Sequence, residues 1–175
     1  MAVFDAIATL VPEVAPQLSL KWPNDLLVRG RKACGILIEL RAEAQGPGHV
    51  VIGTGLNLRL AAKSVRAIEA LGTEPGDLQA AGLDVADRNR IAAALVAHYA
   101  QGVAIFGRDG FAPFAADWAR HDALRDRDVR VMGVDVERAG KARGIDAQGN
   151  LVLELAGGRR ETVVSGDVSV RAGTP

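Results

Sequence analysis

Hydrophobic residues along the chain fall into two rhythms. Over residues 2–15, Val3, Ile7, Leu10, Val11 and Val14 recur at helical spacing, and Pro16 closes the predicted helix. The rhythm then shortens. Leu18–Trp22 reads as a strand stopped by Pro23, and Leu26–Arg29 and Ala33–Leu40 read as strands joined by a tight turn at Gly30 and Arg31. A turn at Gln45–Gly48 leads into a strand over Val50–Leu58, which predicts an antiparallel meander. Alternation within Ala33–Leu40 puts Cys34, Ile36, Ile38 and Leu40 on a core face, opposite Ala33, Gly35, Leu37 and Glu39. In the next strand Val50, Ile52, Thr54 and Leu56 oppose Val51, Gly53, Gly55 and Asn57. Glycine weakens a strand interior unless something approaches the backbone closely. The two glycine-bearing faces fit either a floor for a flat ligand or a pair of bulges under tight packing.

Residues 59–87 read as mixed and turn-rich. Asp87 is placed to cap a helix from Arg88 to about Phe106, with Ile91, Leu95, Tyr99, Val103 and Phe106 as its core stripe. A short helix follows Gly110, and Phe111, Phe114 and Trp118 are assigned to the core. After about Leu124 the rhythm changes to short strands over Val129–Met132, Val134–Arg138, Lys141–Ile145, Leu151–Leu155, Glu161–Val164 and Val168–Val170, with hairpin turns at Asp146–Asn150 and Gly157–Gly158. The expectation is an α+β chain with one region over 1–123 and a small barrel of the SH3-like or OB kind over 124–175.

Composition narrows the function classes. In 175 residues Lys plus Arg (21) balances Asp plus Glu (21), so overall charge offers no case for DNA or an anionic membrane. One cysteine, Cys34, excludes an internal disulfide, fits a reducing cytoplasm, and in its apolar run reads as a buried thiol rather than a nucleophile. One cysteine and three scattered histidines make no metal pattern. No run is long enough to span a membrane.

Chemistry concentrates in Lys21-Trp22-Pro23-Asn24-Asp25 and the following Arg31-Lys32-Ala33-Cys34-Gly35-Ile36-Leu37-Ile38-Glu39. Charged and amide groups sit at strand ends around an apolar hairpin, and a glycine keeps the surface low. This combination is similar to the signature of the biotin–protein ligase catalytic domain. The resemblance continues through Gly53-Thr54-Gly55-Leu56-Asn57-Leu58, the Asn89–Trp118 helices, and Arg143-Gly144-Ile145-Asp146 with Gly149, ending at Gly166-Asp167-Val168-Ser169-Val170-Arg171.

The resemblance implies a partial catalytic domain of the class II aminoacyl-tRNA-synthetase-like fold followed by an SH3-like barrel. It implies ATP, biotin and Mg2+, formation of biotinyl-5′-AMP, and transfer to a lysine of a biotin carboxyl carrier protein, the acetyl-CoA carboxylase subunit. Lys32 takes the position of the family lysine that contacts the biotin carboxylate and then the acyl phosphate. Joining two anions calls for fixed positive charge at the junction. Asp25 matches the aspartate that orients or deprotonates the carrier amine, and Asn57 the asparagine that bonds the nucleotide. Lys21 and Asn24 are assigned to the phosphates, and Gly35 to the strand surface under the biotin ring. No protein metal ligands are assigned, and a homodimer is left open.

The chain departs from the family in lacking its GRGRRG-type loop and preceding strand, and residues 59–97 hold no Phe, Tyr or Trp to stack on adenine. Met1 falls inside a helical pattern, which predicts further sequence upstream. Two other functions compete: a carrier-binding module without catalysis, and a lipoate–protein ligase, against which the KWPND and RKACGIL segments argue.

Overall fold

The computed structural model describes residues 1–41, 49–133, 137–166 and 169–173. Among these, α1 (Ala2–Leu10) leads through a 3-10 turn (Pro12–Gln17) into β1 (Leu18–Lys21), β2 (Asp25–Val28), β3 (Arg31–Arg41) and β4 (His49–Leu56). Pro12, not Pro16, ends the first helix. A residue before proline is pushed out of the α region, and Val11 is extended at φ −143°. The four strands form an antiparallel sheet in the order β1-β2-β3-β4. The turn between β2 and β3 is Arg29–Gly30, one residue earlier than the sequence suggests, with both residues at positive φ (51° and 76°). The Gln45–Gly48 turn lies outside the described residues.

The predicted faces hold from Cys34 outward, Ala33 being turned into the core at a bulge, and the predicted burial does not hold. Cys34 pairs with Leu56, Ile36 with Thr54 and Ile38 with Ile52, which puts the expected residues on one side. Cys34 is 1% exposed and Ile36 packs against the core, yet Ile38 is 62% exposed, Leu40 71% and Val50 53%. The hairpin outruns the helices that cover its base. On its other side Leu37 and Val51 are also exposed.

The turn-rich segment contains a helix the pattern did not announce, α2 (Ala62–Glu69), with no buried residue and no side-chain cap. The long helix α3 (Arg88–Asp109) starts where expected, with Asp87 accepting the Arg90 N–H at 2.9 Å. Its stripe is only half core: Ile91 is buried and Leu95 and Tyr99 pack on the core, whereas Val103 and Phe106 are exposed. Its 22 residues extend roughly 33 Å and its neighbour α1 roughly 14 Å, so the far end has no cover from α1. α4 (Ala115–His121) follows a 3-10 turn, and its Trp118 touches both apolar cores.

The second sheet is antiparallel in the order β8-β7-β6-β5-β9, with β5 (Asp128–Met132), β6 (Glu137–Ile145), β7 (Leu151–Glu154), β8 (Arg160–Val163) and β9 (Ser169–Ala172). Residues 134–136 and 168 of the expected strands lie outside the described residues. The Asp146–Asn150 turn is closed by Asp146 N–H to Asn150 O at 2.9 Å, and Gly157 and Gly158 both take positive φ in the next turn.

The end of β1 bridges the two apolar cores. β1 stops at Lys21, one residue short of the expected strand; Leu18 and Leu20 point into the first core, and Trp22, at the start of the turn, is buried in the second core with Leu124, Val129, Val131 and Leu151. Ala123 N–H donates to Leu20 O at 2.8 Å beside it.

Candidate functional site

The opposite, polar side of the same strand opens on a cleft of about 790 Å³ between the sheets. Ser19, Lys21, Asp25 and Lys32 line it from the first sheet, Gly72, Thr73 and Glu74 from the loop after α2, and Asp122, Arg125, Arg127 and Arg171 from the C-terminal side. Five cationic side chains face three carboxylates, so the cleft as a whole attracts anions.

Lys32 and Asp25 form its centre. Their Nζ and Oδ1 are 2.6 Å apart, and Lys21 Nζ lies 3.8 Å from Asp25 Oδ2. Asp25 Oδ1 is buried with no hydrogen bond beyond that ion pair. Burial lowers the Lys21 pKa most, with Asp25 opposing and the charges of Lys32 and Arg171 adding to the fall. A bulge places Lys32: Leu26 pairs with Cys34 and Leu27 with Lys32, leaving Ala33 extra on β3. The loop after α2 then holds the Lys32 backbone, Lys32 N–H donating to Glu74 O at 2.9 Å and Gly76 N–H to Lys32 O at 2.8 Å.

A smaller hollow of about 210 Å³ adjoins the cleft, lined by Lys32, Cys34, Gly35, Gly55, Asn57, Ile68, Thr73 and Pro75. Gly35 and Gly55 face each other across β3 and β4 and form its floor. A Cβ on Gly35 would lie 3.2 Å from Lys32 Cε and 3.3 Å from Nζ, so this glycine keeps the seat of the ammonium clear. Lys32 and Thr73 belong to both spaces.

The other expected site residues divide. Asn57 borders the hollow, but its Nδ2 donates to the backbone oxygens of Lys32 (3.3 Å) and Gly76 (3.1 Å), which leaves Oδ1 for a ligand. Asn24 is not brought to the cleft: its Nδ2 donates to Ile36 O at 2.6 Å, bracing β3. Cys34 is buried and its pKa is raised to about 11, chiefly by desolvation and further by Asp25, so it carries a neutral thiol. Sequence reading missed Arg125, Arg127 and Arg171, because nothing in strand spacing reports approach across sheets. It also missed Ile68, Thr73 and Pro75, which the unannounced helix and its loop deliver. Among the described residues no cluster of three or more His, Cys, Asp or Glu side chains could hold a metal ion.

Comparison with known proteins fits this arrangement. Residues 1–120 match the model of the biotin/lipoate A/B protein ligase family, and the chain belongs to that family. Residues 129–171 match the biotin protein ligase C terminal domain, so the pairing of regions is that of the biotin protein ligases. The biotin--[acetyl-CoA-carboxylase] ligase of Mycobacterium tuberculosis is 38% identical over 171 residues, covering 96% of this chain and 59% of that protein. The bifunctional ligase/repressor BirA of Escherichia coli is 35% identical over 160 residues, covering 90% of this chain and 48% of BirA. The chain thus spans about half the length of such relatives. The crystal structure of the biotin protein ligase of Aquifex aeolicus superposes with a TM-score of 0.80 at 21% identity, covering 98% of this chain and 71% of that one. Among the described residues no helix is long and apolar enough to cross a membrane.

Proposed function

We propose that this chain carries the acid-activating centre of a biotin–protein ligase, which makes biotinyl-5′-AMP from biotin and ATP and passes biotin to a lysine of a biotin carboxyl carrier protein. The observation that carries this reading is Lys32, whose ammonium is shared by a cationic cleft and a glycine-floored hollow. The cleft takes the phosphates of ATP and the hollow takes the flat parts of the ligands. A biotin carboxylate oxygen attacks the α-phosphorus, the bond to the β-phosphate oxygen breaks, and pyrophosphate leaves. Lys32 lies where a carboxylate and a phosphate meet, and a fixed cation there lowers the repulsion between them. In the second half-reaction the carrier amine attacks the acyl carbon, AMP leaves, and Asp25 orients the amine and takes its proton. Mg2+ would arrive on the phosphates of ATP, where it would offset their charge.

The same reading takes the first sheet and its helices, over 1–123, as part of a class II synthetase-like domain, and the five strands of 124–175 as an SH3-like barrel. It places the protein in the cytoplasm, acting on a carrier domain rather than DNA. Since the chain spans about half of its relatives' length, the decisive assay uses two forms. One is the chain alone, and the other is the chain fused behind a relative's segment carrying the glycine- and arginine-rich loop. The fused form should make biotinyl-AMP and lose at least about tenfold on Lys32→Ala, whereas the chain alone should biotinylate a carrier poorly, its adenylate being open to water. No biotinyl-AMP from the fused form would overturn the reading in favour of a carrier-binding module. A preference for lipoate over biotin would overturn it in favour of a lipoate–protein ligase.

A further inference from the structure

The cleft is built from two sheets, and its cations come from both. Lys21 and Lys32 belong to the first, and Arg125, Arg127 and Arg171 to the C-terminal side. Besides the Ala123 N–H to Leu20 O bond and Trp118, which packs on both cores, one residue ties the two sides together. Trp22 is 3% exposed, and its ring lies in the C-terminal core although its backbone is the first residue of the turn between β1 and β2 of the first sheet. Its Nε1–H donates to Gly149 O at 3.0 Å.

The acceptor is itself fixed. Gly149 has φ +83°, a left-handed conformation that suits glycine. The turn around it is braced by Asp146, whose Oδ1 accepts from the backbone N–H of Gln148 and of Asn150 at 2.9 Å each. The donor end is held equally well. Lys21, immediately before Trp22, lines the cleft, Asn24 clamps β3 through Ile36 O, and Asp25 lies against Lys32. The indole thus links the segment that carries Lys21 and Asp25 to the braced turn of the C-terminal sheet.

We propose that Trp22 is a positioning residue: through its hydrogen bond to Gly149 it sets Arg125, Arg127 and Arg171 against Lys21 and Lys32 so that five cations converge on one polyphosphate. Arg171 and Lys21 line the same cleft from opposite sides. The inference rests on reading the cleft as the ATP phosphate seat. A tryptophan serving only as core filler would stabilise the fold with no effect on the cleft that survives when folding is controlled for.

The experiment measures ATP affinity by calorimetry for the parent chain, Trp22→Phe, Asp146→Ala, Arg171→Ala and the double variant Trp22→Phe/Arg171→Ala, with thermal unfolding in parallel. Trp22→Phe keeps most of the ring's packing and removes the N–H. Asp146→Ala loosens the acceptor without touching the indole or its pocket, and so serves if Trp22→Phe does not fold. Each should weaken ATP about fivefold, the value of one hydrogen bond lost. If Trp22 acts through the C-terminal cations, Trp22→Phe should cost much less in the Arg171→Ala background than in the parent. Parent-like affinity in folded Trp22→Phe and Asp146→Ala, or full additivity with Arg171→Ala, overturns the inference and leaves the cleft reading standing. No loss of affinity on Arg171→Ala, or no ATP binding by the parent, overturns the cleft reading and the inference with it.

Discussion

Gly35 faces the Lys32 ammonium so closely that a single added methyl group would lie 3.3 Å from Nζ. The glycine is therefore part of the cation's placement as much as of the ligand floor. Gly35→Ala should cost little stability, about 1 kcal/mol or less, because the neighbour that must give is the flexible end of a lysine. Biotinyl-AMP synthesis by the loop-containing fusion should nevertheless fall about tenfold, since a displacement near 1 Å is enough for losses of that size. Unchanged synthesis with unchanged thermal stability would remove Gly35 from the site.

Asp25 pairs with Lys32 at 2.6 Å and with Lys21 at 3.8 Å in the free protein. Asp25→Asn should slow transfer of biotin from preformed biotinyl-AMP more than it slows adenylate synthesis, because the carboxylate serves the incoming amine while the cations serve the phosphates. Separate single-turnover assays of the two half-reactions decide this. Equal slowing of both would make Asp25 a brace for the lysines instead.

The Cys34 thiol, raised to about 11 by desolvation and by Asp25, should resist alkylation at pH 8 in the folded chain and react readily once urea unfolds it. Its folded pKa lies above the unfolded value. The stability linked to it is thus fully present below about pH 9 and is lost as pH rises towards about 11. Cys34→Ala should flatten that part of the stability–pH curve. An equally steep decline without the thiol would assign the alkaline loss to other groups.

The outer half of the β3–β4 hairpin exposes Ile38 and Leu40 on one side and Leu37 on the other. Edge strands with apolar faces favour self-association. The double variant Ile38→Lys/Leu40→Lys should reduce concentration-dependent association in sedimentation runs while changing thermal stability little. Unaltered association would place the sticky surface elsewhere, with the exposed Val96, Val103 and Phe106 of α3 as the next face to test.

Local order was legible where local chemistry decides it. The alternation of Cys34 and Ile36 and the Asp87 cap reported their structural roles directly, because cap and pleat are set by residues close in sequence; within the Lys21–Lys32 run Lys21, Asp25 and Lys32 reach the cleft and Asn24 does not. Burial of Ile38, Leu40, Val103 and Phe106 was misread for one reason: apolar periodicity says which side a residue takes, not whether anything lies opposite. The α2 helix escaped because its Ala, Lys, Arg and Glu residues favour helix without supplying a buried stripe or a cap. Which core Trp22 fills depends on how two sheets meet, which spacing along one strand does not report. The same limit hid Arg125, Arg127 and Arg171, so the first wall of the cleft was readable and the second was not.

The alternation Leu18, Leu20, Trp22 also bears on how far the molecule can be taken apart. A cut near residue 124 looks natural from the chain's two strand rhythms. Yet a C-terminal piece starting there would carry an empty socket at the heart of its apolar interior. The remaining piece would present a bare indole to water. The terminal module is accordingly a poor candidate for shuffling onto another scaffold, unless the recipient brings a tryptophan of its own at the end of an adjoining strand.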